Sequence, residues 1–286
     1  MINYLSQLRL MKTIRTVSLI LILLGLMTKS SEAQNQSEKW DTYIAIYDEG
    51  KPGSTTLRMD LIERAPNTDY PIVLVTGVTY ESNREDGFPD SETFGLLYKV
   101  SEELGEFLNK NVENVLVGTF MHNHERLEYF YVKSDKDLEK NLKKFYDLKF
   151  PKLKPYINIK EDKNWSYYRE FLYPNEETRN YMADESVIRS LVDAGDKLEK
   201  PRRIDHWIYF KNEKELTFFK AEAIKQGFAS EKIEKTDNDT TPFLLQIWRE
   251  DKVDINTIYP ITSSLKKLAK SYNGDYDGWE TFVVKE

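Results

Sequence analysis

The sequence contains no cysteine and only three histidines among its 286 residues. The absence of cysteine excludes disulfides, thiolate nucleophiles, cysteine-ligated zinc and iron–sulfur clusters. The sequence also lacks a glycine-rich phosphate loop, a dinucleotide-binding motif and a serine nucleophile elbow. It therefore predicts no cofactor and no convergent catalytic set.

Basic residues are outnumbered by acidic ones, 41 to 48, which gives a net charge of −7. An acidic surface repels phosphate backbones, so no nucleic-acid partner is expected. Aromatic residues are plentiful, with 18 Tyr, 14 Phe and 5 Trp. Because such side chains bury large areas, a folded protein with room for two domains is expected.

The one long apolar run lies near the N-terminus, from Val17 to Met27. It is too short to span a bilayer comfortably, and it lies between basic residues and the small-residue sequence Ser31-Glu32-Ala33. These three regions are typical of a secretory signal peptide. We predict a start at Met11, cleavage near Ala33-Gln34, and a secreted or periplasmic protein with no membrane span after cleavage.

The rest of the chain shows one order of elements twice. A hairpin comes first, with strands predicted at Trp40 to Tyr47 and Leu57 to Glu63. Residues 71–160 then follow the order βαββαβ, and this order recurs from Ile204 to Val284. The pattern predicts an α+β protein made of two ferredoxin-like, two-layer sandwiches, the first with an extra N-terminal β-hairpin.

Composition divides the chain into four segments: a signal peptide (1–33), a first domain (38–175), a helical connector (176–201) and a second domain (202–286). The first domain ends in an aromatic run, Trp165 to Tyr173, that could stack sugars or bases. Its helical spacing favours packing into a core instead.

The second domain carries a distinctive set of aromatic, acidic and glycine residues: Arg203-x-Asp205-His206-Trp207-x-Tyr209-Phe210, Gly227-Phe228, Pro242-Phe243 and Gly274-Asp275-Tyr276-Asp277-Gly278-Trp279-Glu280. On these residues, the segment 184–286 resembles the regulator of ribonuclease E activity B (RraB) family. The resemblance implies a ferredoxin-like fold and a protein-binding role, since the family's name-giving members bind that endoribonuclease and lower its activity. The binding residues that the family motif points to are Asp205, His206, Trp207, Tyr276, Asp277, Gly278, Trp279 and Glu280.

A second resemblance covers residues 38–175, which look like a bacterial family known as domain-of-unknown-function family 695. It lies in Trp40-x-x-Tyr43, Gly87-Phe88-Pro89, Tyr129-Phe130-Tyr131 and Trp165-x-x-Tyr168. This resemblance implies no activity.

The pair His122 and His124 is a candidate metal site. In an extended strand both imidazoles would lie on one side, as zinc ligands do. The same stretch also connects two predicted strands, where polar residues are common, and this interpretation is preferred. Asp205 and His206 are adjacent in a strand, so they face opposite ways and should not form an acid–base pair.

We therefore expect an exported, non-enzymatic protein that binds another protein, with an acidic surface complementary to a basic partner. One alternative is a cytoplasmic regulator of ribonuclease E activity, if the signal segment is not used. Another is a metal-dependent enzyme that uses His122 and His124.

Overall fold

The structure is a computed structural model, and it describes residues 38–47 and 50–285. The predicted signal peptide, residues 1–33, lies outside the described residues. Within the described part of the chain, no helix is both long enough and apolar enough to cross a membrane.

The first half is built on a six-stranded antiparallel sheet with strand order β1-β2-β4-β5-β3-β6. The strands are β1 (Trp40–Ile46), β2 (Pro52–Arg58), β3 (Ile72–Thr79), β4 (Asn114–His122), β5 (Glu125–Val132) and β6 (Lys154–Glu161). The strand β3 lies so close to β5 that a Cβ on Gly77 would come within 2.0 Å of the Arg126 carbonyl oxygen. Only glycine fits this position.

Both faces of this sheet are covered. Helices α1 (Ser91–Asn111) and α2 (Leu138–Lys149) pack on one face, where Leu74 and Phe130 point towards them. On the other face lie a 3₁₀ helix (Met59–Arg64) and a π-helix (Tyr167–Leu172), whose side chains pack against Val73, Val75 and Tyr131. The first half thus has three layers, not the predicted two, because the aromatic run after β6 folds back onto the sheet.

Two details of the first half differ from prediction. The second hairpin strand is Pro52–Arg58, whereas the predicted range Leu57 to Glu63 falls mostly in the 3₁₀ helix. The sequence pattern predicts the next two strands at Val115 to Phe120 and Leu127 to Val132, but β4 and β5 extend further, and only Asn123 and His124 separate them. Both residues have positive φ, 45° and 66°, as a tight hairpin turn requires.

The second half is a four-stranded antiparallel sheet of order β10-β7-β9-β8. Its elements are β7 (Arg202–Phe210), α4 (Glu213–Lys225), β8 (Ala229–Lys235), β9 (Phe243–Asp251), α5 (Ile255–Ser271) and β10 (Gly274–Glu280). Side chains of α4 and α5 pack on one face of the sheet, around Ile208, Phe210 and Leu245. The sequence pattern places Pro260 in the first turn of the last helix, but in the structure it lies further inside α5.

Helix α3 (Glu176–Asp193) falls in the segment that composition marks as a connector, and it contacts both halves. Met182 is buried in the core beneath the first sheet. Two residues later, Asp184 accepts hydrogen bonds from Thr262 on α5 and Trp279 on β10. Because two residues are about 200° apart around a helix, the two side chains point in nearly opposite directions.

Candidate functional site

The candidate site lies on the second sheet, where side chains alternate between two environments. Along β7, the even-numbered residues from Arg202 to Phe210 are buried, and the odd-numbered residues between them are partly exposed. This is the period of a strand with one covered face. Asp205 and His206 consequently point to opposite faces, as their adjacency predicts.

The exposed side of this sheet is here called the open face, and it is centred on four aromatic or apolar side chains: Trp207, Tyr209, Leu244 and Trp248. The pairing of β7 with β9 places Trp207 opposite Gln246 and Tyr209 opposite Leu244. None of the four belongs to a buried hydrophobic cluster of the described residues. Aromatic side chains on an uncovered sheet face are common anchors in protein interfaces.

A fixed polar network borders the aromatic residues of the open face. Arg203 forms a two-nitrogen contact with Asp205, with Nη2 to Oδ1 at 2.6 Å and Nε to Oδ2 at 2.9 Å. Gln246 also donates to Asp205 Oδ1, at 2.9 Å. The guanidinium carbon of Arg203 lies 4.7 Å from the Trp248 ring centre, within cation–π range. The network fixes the position of Arg203 beside the Trp248 ring.

Several open-face residues were absent from the predicted binding set, including Arg203, Tyr209, Gln246 and Trp248. Arg203 and Tyr209 could have been included, because they share the strand period of Asp205 and Trp207. Trp248 and Gln246 lie on a different strand, and their place depends on the register of β9 against β7, which the sequence does not specify.

His206 and Tyr276 lie on the helix-covered side. His206 is fully buried, and its Nδ1 is 2.8 Å from the Tyr276 hydroxyl. Its Nε2 has no hydrogen-bond partner among the described residues. The imidazole meets the Phe228 ring in a T-shaped contact, with centroids 5.6 Å apart. These two motif residues therefore contribute to the core and cannot touch a partner bound on the open face.

Burial lowers the pKa of His206 to about 3, and the nearby positive charge of Arg249 acts in the same direction. The unfolded chain takes up a proton on this side chain below about pH 6.5, but the folded protein does not. The free energy of unfolding should therefore fall as pH decreases from about 6.5 towards 3, by about 1.4 kcal/mol per pH unit from this group.

We expect His206→Gln to remove this dependence while keeping a polar partner for Tyr276. Between pH 7 and pH 5, the wild-type free energy of unfolding should fall by about 2 kcal/mol more than that of the variant. Urea denaturation at the two pH values measures the difference. Parallel pH dependences of the two proteins would contradict the buried, neutral histidine.

Trp279 is likewise a core residue. Its indole Nε1 donates to Asp184 Oδ1 at 2.8 Å, while Thr262 donates to Asp184 Oδ2 at 2.5 Å. Burial raises the pKa of Asp184, which these two hydrogen bonds partly oppose. The tryptophan of the glycine-rich motif thus anchors β10 to α3.

The remaining motif residues lie along β10, an edge of the sheet. A β-bulge interrupts its pairing with β7 between Tyr276 and Gly278, and Gly278 has φ 149°, which only glycine adopts easily. Asp277 is exposed in the bulge, and Glu280 is exposed opposite Asp205. Of the eight predicted residues, Asp205, Trp207 and Glu280 share the open face, while His206, Tyr276 and Trp279 are buried beneath the sheet.

The two candidate metal ligands have separate surroundings at the tip of the β4–β5 hairpin. His122 Nδ1 is 3.1 Å from the Pro52 carbonyl oxygen, and its ring packs near Tyr47. His124 lies in the turn and packs near Tyr80. No group of three or more His, Asp or Glu residues in the described chain is placed to hold a metal ion.

A shallow depression of about 520 Å³ is present at the start of α2. Its lining is charged and contains no histidine: Asp135, Asp137, Leu138, Glu139, Lys140 and Lys143.

Comparison with known families gives two matches along the chain. Residues 182–281 match the family described as Regulator of ribonuclease activity B. Residues 38–173 match a family of unknown function, DUF695. The C-terminal match begins inside α3, so it includes Asp184 together with the whole four-stranded sheet. No curated protein matches the chain.

Proposed function

We propose that this protein is an exported, non-enzymatic regulator that acts by binding another protein, in the manner of the ribonuclease regulators whose family its C-terminal half matches. The observation that carries the proposal is the open face of the second sheet. It presents two tryptophans, a tyrosine and a positioned arginine on one uncovered surface. Such residue types dominate the binding energy of protein interfaces.

We also propose that both halves have the ferredoxin-like arrangement. Counted within each βαββαβ unit, the four strands have the order 4-1-3-2 in both sheets, which supports this assignment. In the second half this arrangement leaves one sheet face without helices, and that is the face we assign to binding.

The partner surface should be basic and partly apolar. The chain carries a net charge of −7, and acidic side chains such as Asp205, Glu231 and Glu280 border the aromatic centre. Opposite charges at the rim accelerate encounter, while the aromatic centre supplies most of the affinity. Binding is therefore expected to weaken as salt concentration rises.

The test is to capture the partner from an envelope fraction at low salt and then measure its affinity for variants. Trp207→Ala combined with Trp248→Ala should weaken binding by about thirtyfold or more, the effect expected when interface anchors are removed. The matched control is Phe218→Ala, because Phe218 is 50% exposed on α4, on the other side of the same sheet. Circular dichroism checks that each variant is folded. An equal loss of binding affinity in the double tryptophan variant and in Phe218→Ala would reject the open face as the binding surface, as would unchanged affinity in both.

A cytoplasmic regulator of ribonuclease E activity is the second candidate, and the family match over residues 182–281 favours it. Cell fractionation with N-terminal sequencing distinguishes the two. A protein that begins at Gln34 in the envelope or medium supports export. A cytoplasmic protein that retains residues 1–33 and slows cleavage of RNA by the purified endoribonuclease supports the second candidate.

A further inference from the structure

The four edges of the two sheets differ in how they are protected against pairing with another strand. The edge β6 contains Pro155 and the lysines Lys154 and Lys160, and β8 combines exposed Lys and Glu residues with a β-bulge. The edge β10 has a bulge beside Gly278. Charges, proline and bulges are the usual devices that prevent edge-to-edge pairing.

The fourth edge, β1, has no proline and no bulge within Trp40–Ile46, and Asp41 is its one charged residue. It pairs with β2 over all seven residues without a register shift. Three of its side chains are large, apolar and exposed: Trp40 at 40%, Ile44 at 57% and Ile46 at 69%. Among the described residues, a regular and mostly apolar edge without proline or bulge is a template for a further strand.

The outward-pointing backbone groups of β1 can be identified from its bonds to β2. Tyr47 donates to the Lys51 carbonyl, and Met59 donates to the Lys39 carbonyl. In this register the odd-numbered residues of β1 bond to β2, so the N–H and C=O groups of residues 40, 42, 44 and 46 point away from the sheet. In the monomer, the Asp41 side chain accepts from the outward N–H of Thr42.

We infer that β1 pairs with β1 of a second copy of this chain, antiparallel about a two-fold axis at Tyr43, to join two six-stranded sheets. This register sets Thr42 opposite Ile44 and Trp40 opposite Ile46, so every outward-pointing N–H and C=O faces a partner group. The same pairs place apolar side chains together on one face.

Charge also suits this pairing. Within the seven paired residues, Asp41 lies opposite Ala45 of the second copy, so no like charges are directly opposed there. A two-fold arrangement uses the β1 edge of both copies. Because each copy has one β1 edge, assembly stops at the dimer. The seven-residue contact is small, so the dimer should dissociate on dilution.

The first test measures oligomeric state by sedimentation velocity across a concentration series of the purified protein. The wild-type protein should be dimeric at high concentration. Ile44→Pro should be monomeric, because it removes an outward N–H that β2 does not use. Ile44→Lys should also be monomeric, since it places a charge on the paired face without altering the backbone.

The matched control is Ile233→Lys on the charged edge β8, where Ile233 is 48% exposed. It should dimerise like the wild-type protein. A wild-type protein that stays monomeric at every concentration would overturn the inference, as would a dimer that neither Ile44 substitution weakens.

The register can be tested separately, because the chain contains no cysteine. The double substitution Thr42→Cys and Ile44→Cys brings the introduced thiols into directly opposed pairs, with Cα atoms about 5.5 Å apart, which a disulfide can bridge. It should form covalent dimers on mild oxidation. The single substitution Ile46→Cys leaves its two thiols roughly 20 Å apart along the strands and should not. Equal cross-linking of both variants would overturn the proposed register.

Discussion

Replacing Arg202 with methionine should lower the free energy of unfolding by about 3–5 kcal/mol, because it leaves a buried carboxylate without its counter-charge. The side chains of Arg202 and Asp196 are only 2% and 1% exposed. Arg202 Nη2 donates to Asp196 Oδ1 at 2.8 Å, and Nη1 contacts Oδ2. Asp196 also accepts from the backbone N–H groups of Leu198 and Val284. These contacts hold the pKa of Asp196 well below its usual range.

The control for this prediction is the next residue in the chain. Arg203 also pairs with a carboxylate, but its side chain is 34% exposed. Arg203→Met should therefore change the free energy of unfolding by only about 1 kcal/mol or less, the ordinary value of an exposed ion pair. Urea denaturation of the two variants measures both effects. Equal stability of the two variants would show that the Arg202–Asp196 pair is not buried in solution.

Trp165→Ala should destabilise the first half by about 3–5 kcal/mol, the range for removing a large aromatic side chain from a core. Trp165 is 2% exposed and stacks on Tyr131, with ring centroids 4.1 Å apart and an interplanar angle of 11°. Its indole N–H donates to the Tyr70 carbonyl at 3.0 Å. Its φ of 55° is unfavourable for a bulky residue, so the packing must offset a backbone penalty.

Phe171→Ala is the matched control, since Phe171 belongs to the same aromatic run and is 41% exposed. We expect a change of less than about 1 kcal/mol for it, as for most exposed positions. The stability of both variants can be measured by thermal unfolding, monitored by near-ultraviolet circular dichroism. A sugar- or base-stacking role for the run would instead give Trp165→Ala little effect on stability.

Much of the element order follows from the sequence. The sequence Pro89-Asp90-Ser91-Glu92 predicts the start of a helix, and Asp90 does accept the Thr93 N–H at the start of α1. The start of α4 was predicted from Asn212 and Glu215, and Asn212 does accept the Glu215 N–H. These features are local, because a capping side chain and the backbone N–H that donates to it lie within four residues of each other. The α+β class and the two antiparallel sheets follow from such local features.

The features that the sequence did not reveal depend on long-range contacts. The aromatic run Trp165 to Tyr173 indicates burial, but not which sheet face it covers. Asp184 resembles any other acid on a charged helix, and only the approach of Thr262 and Trp279, 78 and 95 residues later, makes it a buried acceptor. Trp248 joins Trp207 on one surface through strand register, which a single strand's pattern does not contain. The candidate site was therefore only partly predictable.

Helix α3 has a consequence for any attempt to recombine these two halves with related sequences. One side of the helix fills the first core through Met182, and the other carries the acceptor for Trp279. In a chimera joined at either end of α3, the whole helix comes from one parent. The half that comes from the other parent would then pack against a helix surface that does not match it. Met182 must therefore come from the parent that supplies the first half, and Asp184 from the parent that supplies the second half. A functional exchange of halves requires a hybrid helix that combines the two.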